Sequence, residues 1–264
     1  MRLFWEVARR AFRRFSTYRS ATFAGVFTNT VFGFIQAAIL TAVFRQRATV
    51  GSFDVRDAVT FVFVSQGFLV VMGAFSGHLT LAERIVSGDV VTDLYRPVDL
   101  QLFELASDVG RAGFQCTVRA VVPLLCGGLA FDLRLPSAPR LWLLFAVSVA
   151  LGIVTSFGHR FLVTLTTFWT LDYRAASQMA TVVAMFFSGF AIPIVFFPDW
   201  LERFSRLLPY VGFAQIPIEI LLGKLHGLDL VAALASQVAW AVVLLVLGRW
   251  VLARATHRVV VQGG

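Results

Sequence analysis

The chain has 264 residues, 58% of them hydrophobic and 14% charged, with a net charge of +8. A soluble domain averages about 25% charged residues, so a water-soluble globule is excluded and a polytopic membrane protein is expected. The cations are almost all arginine, Lys224 being the only lysine; in a membrane chain they report orientation rather than nucleic-acid binding, because positive residues gather in cytoplasmic segments.

Residues 2 to about 19 predict an amphipathic helix. Leu3, Phe4, Val7, Ala8, Ala11, Phe12 and Phe15 recur at helical spacing, with Arg9, Arg10, Arg13 and Arg14 beside them. Such a helix lies in the headgroup plane. Arginine pairs also mark a twin-arginine export signal. Here no small-residue cleavage site follows, and the next apolar run is too long for a signal segment.

Apolar runs of about 20 residues can each cross about 30 Å of hydrocarbon. The first runs from about Ala21 to Phe44 without a charge. Gly25, Asn29, Phe32 and Gln36 lie near one of its faces. Amides in hydrocarbon point into protein or a cavity, so Asn29 and Gln36 are candidates for pathway lining or for interhelical hydrogen bonds. The second span runs from about Ala58 to Leu81 and holds Gly73 and Gly77, a GxxxG that permits close helix approach. A polar stretch follows, with six of the fifteen acids between Glu83 and Asp108; by composition it is a solvated loop. The third span, about Ala112 to Phe131, carries Pro123 and Arg119, and Arg119 is expected to snorkel to the headgroups. The fourth apolar tract, about Leu141 to Leu171, is interrupted by His159 and Arg160. Those two are candidates for a functional intramembrane charge, though a kink or a span boundary explains them equally well. The fifth runs from about Ala175 to Phe197, with Pro193 loosening it before its exit. The sixth runs from about Leu228 to Leu252.

Between the last two spans, Asp199 after Pro198 suits a helix first turn. Trp200, Leu201, Phe204, Leu207 and Leu208 share one face, and Glu202 and Arg206 pair at i,i+4 on the other. This predicts a short surface helix anchored by Trp200. After Pro209 the segment from Phe213 to Gly223 is apolar but too short to span, and it includes Pro217 and Glu219. A re-entrant excursion fits, and so does an ordinary loop.

Six arginines stand in the N-terminal segment, against Arg45, Arg47 and Arg56 in the first opposite loop. That places the N-terminus in the cytoplasm, and an even number of spans returns the C-terminus there. The expected organisation is a cytoplasmic amphipathic helix at 1–20 and a transmembrane domain at 21–254. Within it 83–111 is cytoplasmic and 198–227 external, and 255–264 forms a cytoplasmic tail.

Little points to catalysis. Cys116 and Cys126 lie about 15 Å apart along one helix, too far for a disulfide. His78, His159, His226 and His257 show no ligand spacing. Ser76 and His78 lack a hydrolase motif. No GxxxxGK[ST] loop is present; Gly223-Lys224 lacks the flanking residues.

Three stretches carry a family resemblance. SGFAIPIVFFPDWLERFSRLLP, followed by QIPIEILLGK, resembles the late signature of ABC-2 type permeases, the six-helix membrane subunits of ATP-binding-cassette exporters. AERIVSGDVVTDLYRP is similar to their cytoplasmic segment after the second span. The N-terminal amphipathic helix resembles their connector helix. The resemblance implies an all-α membrane protein with about six transmembrane helices, an interfacial N-terminal helix and an external re-entrant helix pair before the last span. It implies a non-catalytic permease of the bacterial plasma membrane, moving an amphipathic substrate out of the cell. ATP and Mg would be bound by a separate ATPase subunit, with a second or paralogous permease as a further partner. Glu83, Arg84, Gly88, Asp89, Asp93, Leu94, Arg96 and Pro97 would form the coupling helix and its stop. His159, Arg160 and Pro193 join Asn29 and Gln36 as pathway or helix-interface candidates. Trp200, Phe204, Pro209, Pro217 and Glu219 would shape the external segment. The alternatives are a secondary transporter, which normally shows an internal repeat with broken helices in both halves, and an intramembrane enzyme.

Overall fold

The computed structural model describes residues 2–17, 19–46, 48–75 and 77–259. Arg47, Ser76 and residues 260–264 of the tail, all cited above, lie outside the described residues. The described part is helical, with one isolated β-bridge, Val50 to Phe53. Its helices are α1 (Arg2–Thr17), α2 (Arg19–Phe44), α3 (Val55–Val71), α4 (Leu81–Ser87), α5 (Val90–Leu94) and α6 (Leu100–Gln115). A π-turn at Cys116–Ala120 joins α6 to α7 (Val121–Ala130). Then come α8 (Pro139–Thr170), α9 (Arg174–Phe187), α10 (Asp199–Arg206), α11 (Gln215–Leu221) and α12 (Gly227–Val259).

Four helical stretches are long and apolar enough to cross a membrane: Thr22–Phe44, Leu100–Ala130, Pro139–Thr170 and Gly227–His257. The other two expected spans stop short. α3 ends at Val71, ten residues before the expected Leu81, and α9 ends at Phe187 rather than Phe197. Seventeen residues at 1.5 Å each give α3 a length of about 25 Å, less than the hydrocarbon core. Glycine sets both stops. Gly73 (φ 64°) closes α3 and Gly189 (φ 88°) follows α9; both adopt the left-handed conformation that ends helices. Gly77 (φ 62°) also lies in the break after α3. The GxxxG reading of Gly73 and Gly77 is therefore corrected: neither is on a helix face.

Two further corrections concern charge. The helix of the third span starts at Leu100, not Ala112, so the second half of the supposed solvated loop is helix continuous with the span. Asp99 caps it, accepting from the Leu102 N–H at 2.9 Å. Arg119 lies nineteen residues beyond the start of α6, with its guanidinium against Gly25 near the start of α2. His159 and Arg160 do not interrupt the fourth span; α8 runs unbroken through them.

α1 packs along α6 through small residues: Ala8 and Ala11 are buried, and the Ala8 carbonyl sits against Gly110. α2 lies on α3 and α7, and α12 lies on α8. α11 is wholly buried against α8 and α3.

Candidate functional site

The polar residues between α3 and α6 form a layered frame. At its tip, α4 ends on Gly88 (φ 83°), whose surroundings are open, and α5 begins two residues later. Arg84 of α4 crosses to Asp93 of α5 at 2.7 Å and to Glu104 of α6. Arg96 adds a contact of 3.4 Å to Asp93. Asp93 and Glu104 are buried. A buried carboxylate is retained only when paired and hydrogen-bonded, so Arg84 is the residue that holds two short helices and a span in one geometry. Beneath them Leu81, Ile85 and Val90 pack with Phe157, Phe161 and Leu165 of α8.

One helical turn along α6 from Glu104 comes Asp108. Arg160 of α8 grips it through both terminal nitrogens, at 3.1 and 2.7 Å, and Arg111 donates to it at 2.7 Å. Arg111 then reaches the end of α3, donating to the Val70 carbonyl at 2.7 Å and the Val71 carbonyl at 2.8 Å. Ser156 donates to the Met72 carbonyl. The N–H groups of Gly73 and Ala74 return to Val70 and Leu69, the double bond pattern that closes a helix on a left-handed glycine. Backbone left open at membrane depth costs several kcal/mol per group unless protein satisfies it. Here two side chains from two other helices do so. Glu104, Asp108 and Arg111 stand at i, i+4 and i+7, one face of α6. They belong to two ionic clusters set one helical turn apart on α6, Arg84–Asp93–Glu104 at the α4–α5 turn and Asp108–Arg111–Arg160 at the broken end of α3.

The opposite end carries its own ionic clamp. Asp54 and Asp57 form a capping box at the start of α3. Arg134 binds Asp54 at 2.6 Å and Asp57 at 2.8 Å, and Lys224 binds Asp57 at 2.6 Å. Burial alone would raise the Asp54 carboxyl; the Asp57 N–H and the Arg134 guanidinium outweigh it and hold it below its ordinary value. Nearby, Arg206 of α10 donates to both oxygens of Glu219, at 3.1 and 2.8 Å, and to Glu202 at 2.9 Å. Burial would lower the Arg206 guanidinium, and the Glu219 and Glu202 carboxylates raise it instead. Gln215 bonds Glu219 at 2.9 Å, accepts from the Ile194 N–H at 3.1 Å, and through its own N–H reaches the Ser188 carbonyl at 3.2 Å.

The structure thus divides the expected coupling residues. Arg84 and Asp93 turn inward and brace, and Leu94 is half-buried. Glu83, Gly88, Asp89, Arg96 and Pro97 are exposed. With Val86, Val91 and Tyr95, which is 86% exposed, they leave a polar and aromatic projection that is exposed among the described residues. Asn29 donates to the Gln66 carbonyl and Gln36 accepts from the Gln66 amide, both at 3.0 Å, so the two tie α2 to α3. His159 lies within 3.5 Å of the Tyr210 hydroxyl. Pro193 stands in the turn after Gly189, Pro209 and Pro217 are buried, and Trp200 and Phe204 are exposed. The sequence reading did not identify Arg111, Gln215, Asp57, Arg134 or Lys224 as site residues. Helical spacing from Glu104 to Arg111 and the Asp54–Asp57 capping spacing were the available signals.

The model of the ABC-2 family transporter protein matches residues 30–263. The chain belongs to the ABC-2 transporter family. It is therefore a membrane permease of ABC-type transport. No curated protein matches it.

Proposed function

We propose that the chain is the membrane subunit of an ATP-driven exporter, coupled to a separate cytoplasmic ATPase through the α4–α5 turn. The observation that carries this reading is the exposed projection from Val86 to Tyr95, mounted on the Arg84–Asp93–Glu104 frame. A docking element that transmits force needs both an unpartnered face and a stiff mount, and this turn has both. Both termini lie in the cytoplasm, the α10–α11 segment lies outside, and the complex sits in the plasma membrane. Two permeases, identical or paralogous, pair through exposed apolar faces such as that of α2, where Phe23 and Phe27 are uncovered. Closure of the ATPases pushes the turn, and the ionic face of α6 carries the displacement to the end of α3. The cargo is amphipathic: a drug, a lipid or a peptide-like natural product.

The test is co-expression with a candidate ATP-binding subunit and purification in mild detergent. Wild-type permease retains the ATPase. Asp89→Arg combined with Tyr95→Ala loses it while the melting temperature is unchanged, because both side chains are solvent-exposed. Retention by the double variant would move the docking site elsewhere. No association with any ATPase would overturn the reading and favour a transporter not driven by ATP.

A further inference from the structure

We propose that the cleft between α7 and α8 is a binding site for one acyl chain of a membrane lipid, distinct from the coupling machinery. The two helices are joined by only eight residues, 131–138, and neighbours in sequence usually pack together. Here they diverge. α7 lies on α2 and α3, held by the Gly127–Phe63 contact, while α8 lies on α12 and α11. α6 and α8 meet at the Asp108–Arg160 pair. The result is a wedge, closed at the charged end and open toward the 131–138 loop.

The wedge encloses about 490 Å³, roughly three times an engineered apolar cavity of about 150 Å³ that takes up benzene. Its walls are apolar. One is an aromatic ladder in which Trp142 meets Phe145 edge-on at 6.1 Å and Phe145 stacks on Phe68 at 5.8 Å. Trp142 is fixed at the rim, its indole N–H donating to the Pro136 carbonyl at 3.0 Å. The floor is the π-turn at Cys116–Ala120. A π-turn adds a residue to the helical turn and displaces the wall, a feature often found at functional positions. Gly67 lies directly against Ala120 and shuts the back.

Location and length select the occupant. Both arms of the wedge are apolar enough to lie in the membrane, so the phase at its mouth is hydrocarbon rather than water. From Trp142 to Ile153 the cleft follows α8 for eleven residues, about 16 Å, which matches one leaflet of a core about 30 Å thick. An unfilled space of this size forfeits dispersion contacts along its whole lining, and water gains no partners on an apolar wall. One extended chain from the adjacent leaflet fills it, with its headgroup beside the 131–138 loop.

The experiment uses full-length permease in phosphatidylglycerol nanodiscs containing a trace of phospholipid with a photoactivatable diazirine on one acyl chain. After illumination and digestion, labelled peptides are mapped by mass spectrometry. The site predicts several-fold more label per residue at Cys116–Leu124 and Trp142–Ile153 than along Val238–Leu247 of α12, which is apolar and exposed and lines none of the described clefts. Ala150→Trp, which fills the wedge, removes that excess and leaves α12 labelling unchanged; Ala146→Val is the milder filler if the tryptophan variant does not fold. Uniform label across all three regions, or an excess that survives filling in the variant that folds, would overturn the proposal. Excess label displaced by an amphipathic cargo, and not by added phosphatidylglycerol, would overturn the lipid assignment in favour of a cargo site.

Discussion

Two helices of this permease, α3 and α9, stop about ten residues short of the apolar runs they begin, and they are closed in different ways. α3 ends at Val71 and is capped by Arg111 and Ser156, which belong to α6 and α8 and connect to the Asp108–Arg160 pair. α9 ends at Phe187; the Gln215 backbone N–H donates to the carbonyl of its cap residue Ser188, while the Gln215 side-chain amide accepts from the Ile194 N–H in the segment that follows. The first closure is ionic, spans three helices and lies one turn of α6 from the separate Arg84–Glu104 cluster at the α4–α5 turn. The second bonds the backbone through an amide, and a charged pair, Arg206–Glu219, stands behind that amide. A buried ion pair is costly to form and more costly to break, so the first closure is held rigidly. The second simply satisfies backbone, and its ion pair, Arg206–Glu219, lies partly exposed.

Substitutions at the two ends put that contrast to the test. Asp108→Asn should have the largest effect, because it strands two cations in the frame: a loss of about 3–5 kcal/mol, read by thermal unfolding in detergent. A loss under about 1 kcal/mol would show that the frame is not a unit. Gln215→Leu should cost about 1–3 kcal/mol by leaving the Ile194 N–H unsatisfied, without altering ATPase association. Gly73→Ala should cost about 1–2 kcal/mol for its left-handed backbone, and, unlike Gly189→Ala, it presses on the Arg160 guanidinium. It should therefore impair transport beyond its effect on stability, measured as cargo flux at matched protein amounts. The smallest effect concerns the clamp at the start of α3. Asp54 is held below its ordinary value of 3.8. Its stabilising contribution is therefore complete above that value and is lost as pH falls through the lower folded value. Acidification from about pH 5 to about pH 3 should lower the melting temperature of the wild type more than that of Asp54→Asn.

Much of this architecture is legible in the sequence. The apolar runs mark the four full spans. The periodicity of residues 2 to 17 marks α1, and Pro198-Asp199 marks the start of α10. What was not legible has a common cause. Glu104, Asp108 and Arg111 look like a solvated loop, and Arg160 looks like an interruption, because a charge in an apolar pattern reads as an exit to water. Glu104 and Arg160 are instead neutralised by residues far away in sequence, Arg84 and Asp108, and Arg111 by Asp108 one turn back, and only the packed helices reveal the long-range pairings. Gly73 and Gly77 misled in the same manner: their spacing fits a helix face, while their backbone is left-handed and ends the helix. In the α4–α5 turn the residue types suggested one docking surface. Burial separates these residues: Arg84 and Asp93 turn inward, and Asp89, Tyr95 and Arg96 are exposed.

The central claim is that force applied at the α4–α5 turn reaches the end of α3 and bypasses the end of α9. Hydrogen exchange on the nanodisc-embedded complex tests it most directly, comparing the nucleotide-free ATPase with the ATPase trapped by ATP and vanadate. The account predicts altered exchange at Val86–Tyr95 and at Met72–Ala74 together, with Ser188–Ile194 unchanged. Altered exchange confined to the α4–α5 turn, or equal change at both helix ends, would contradict it.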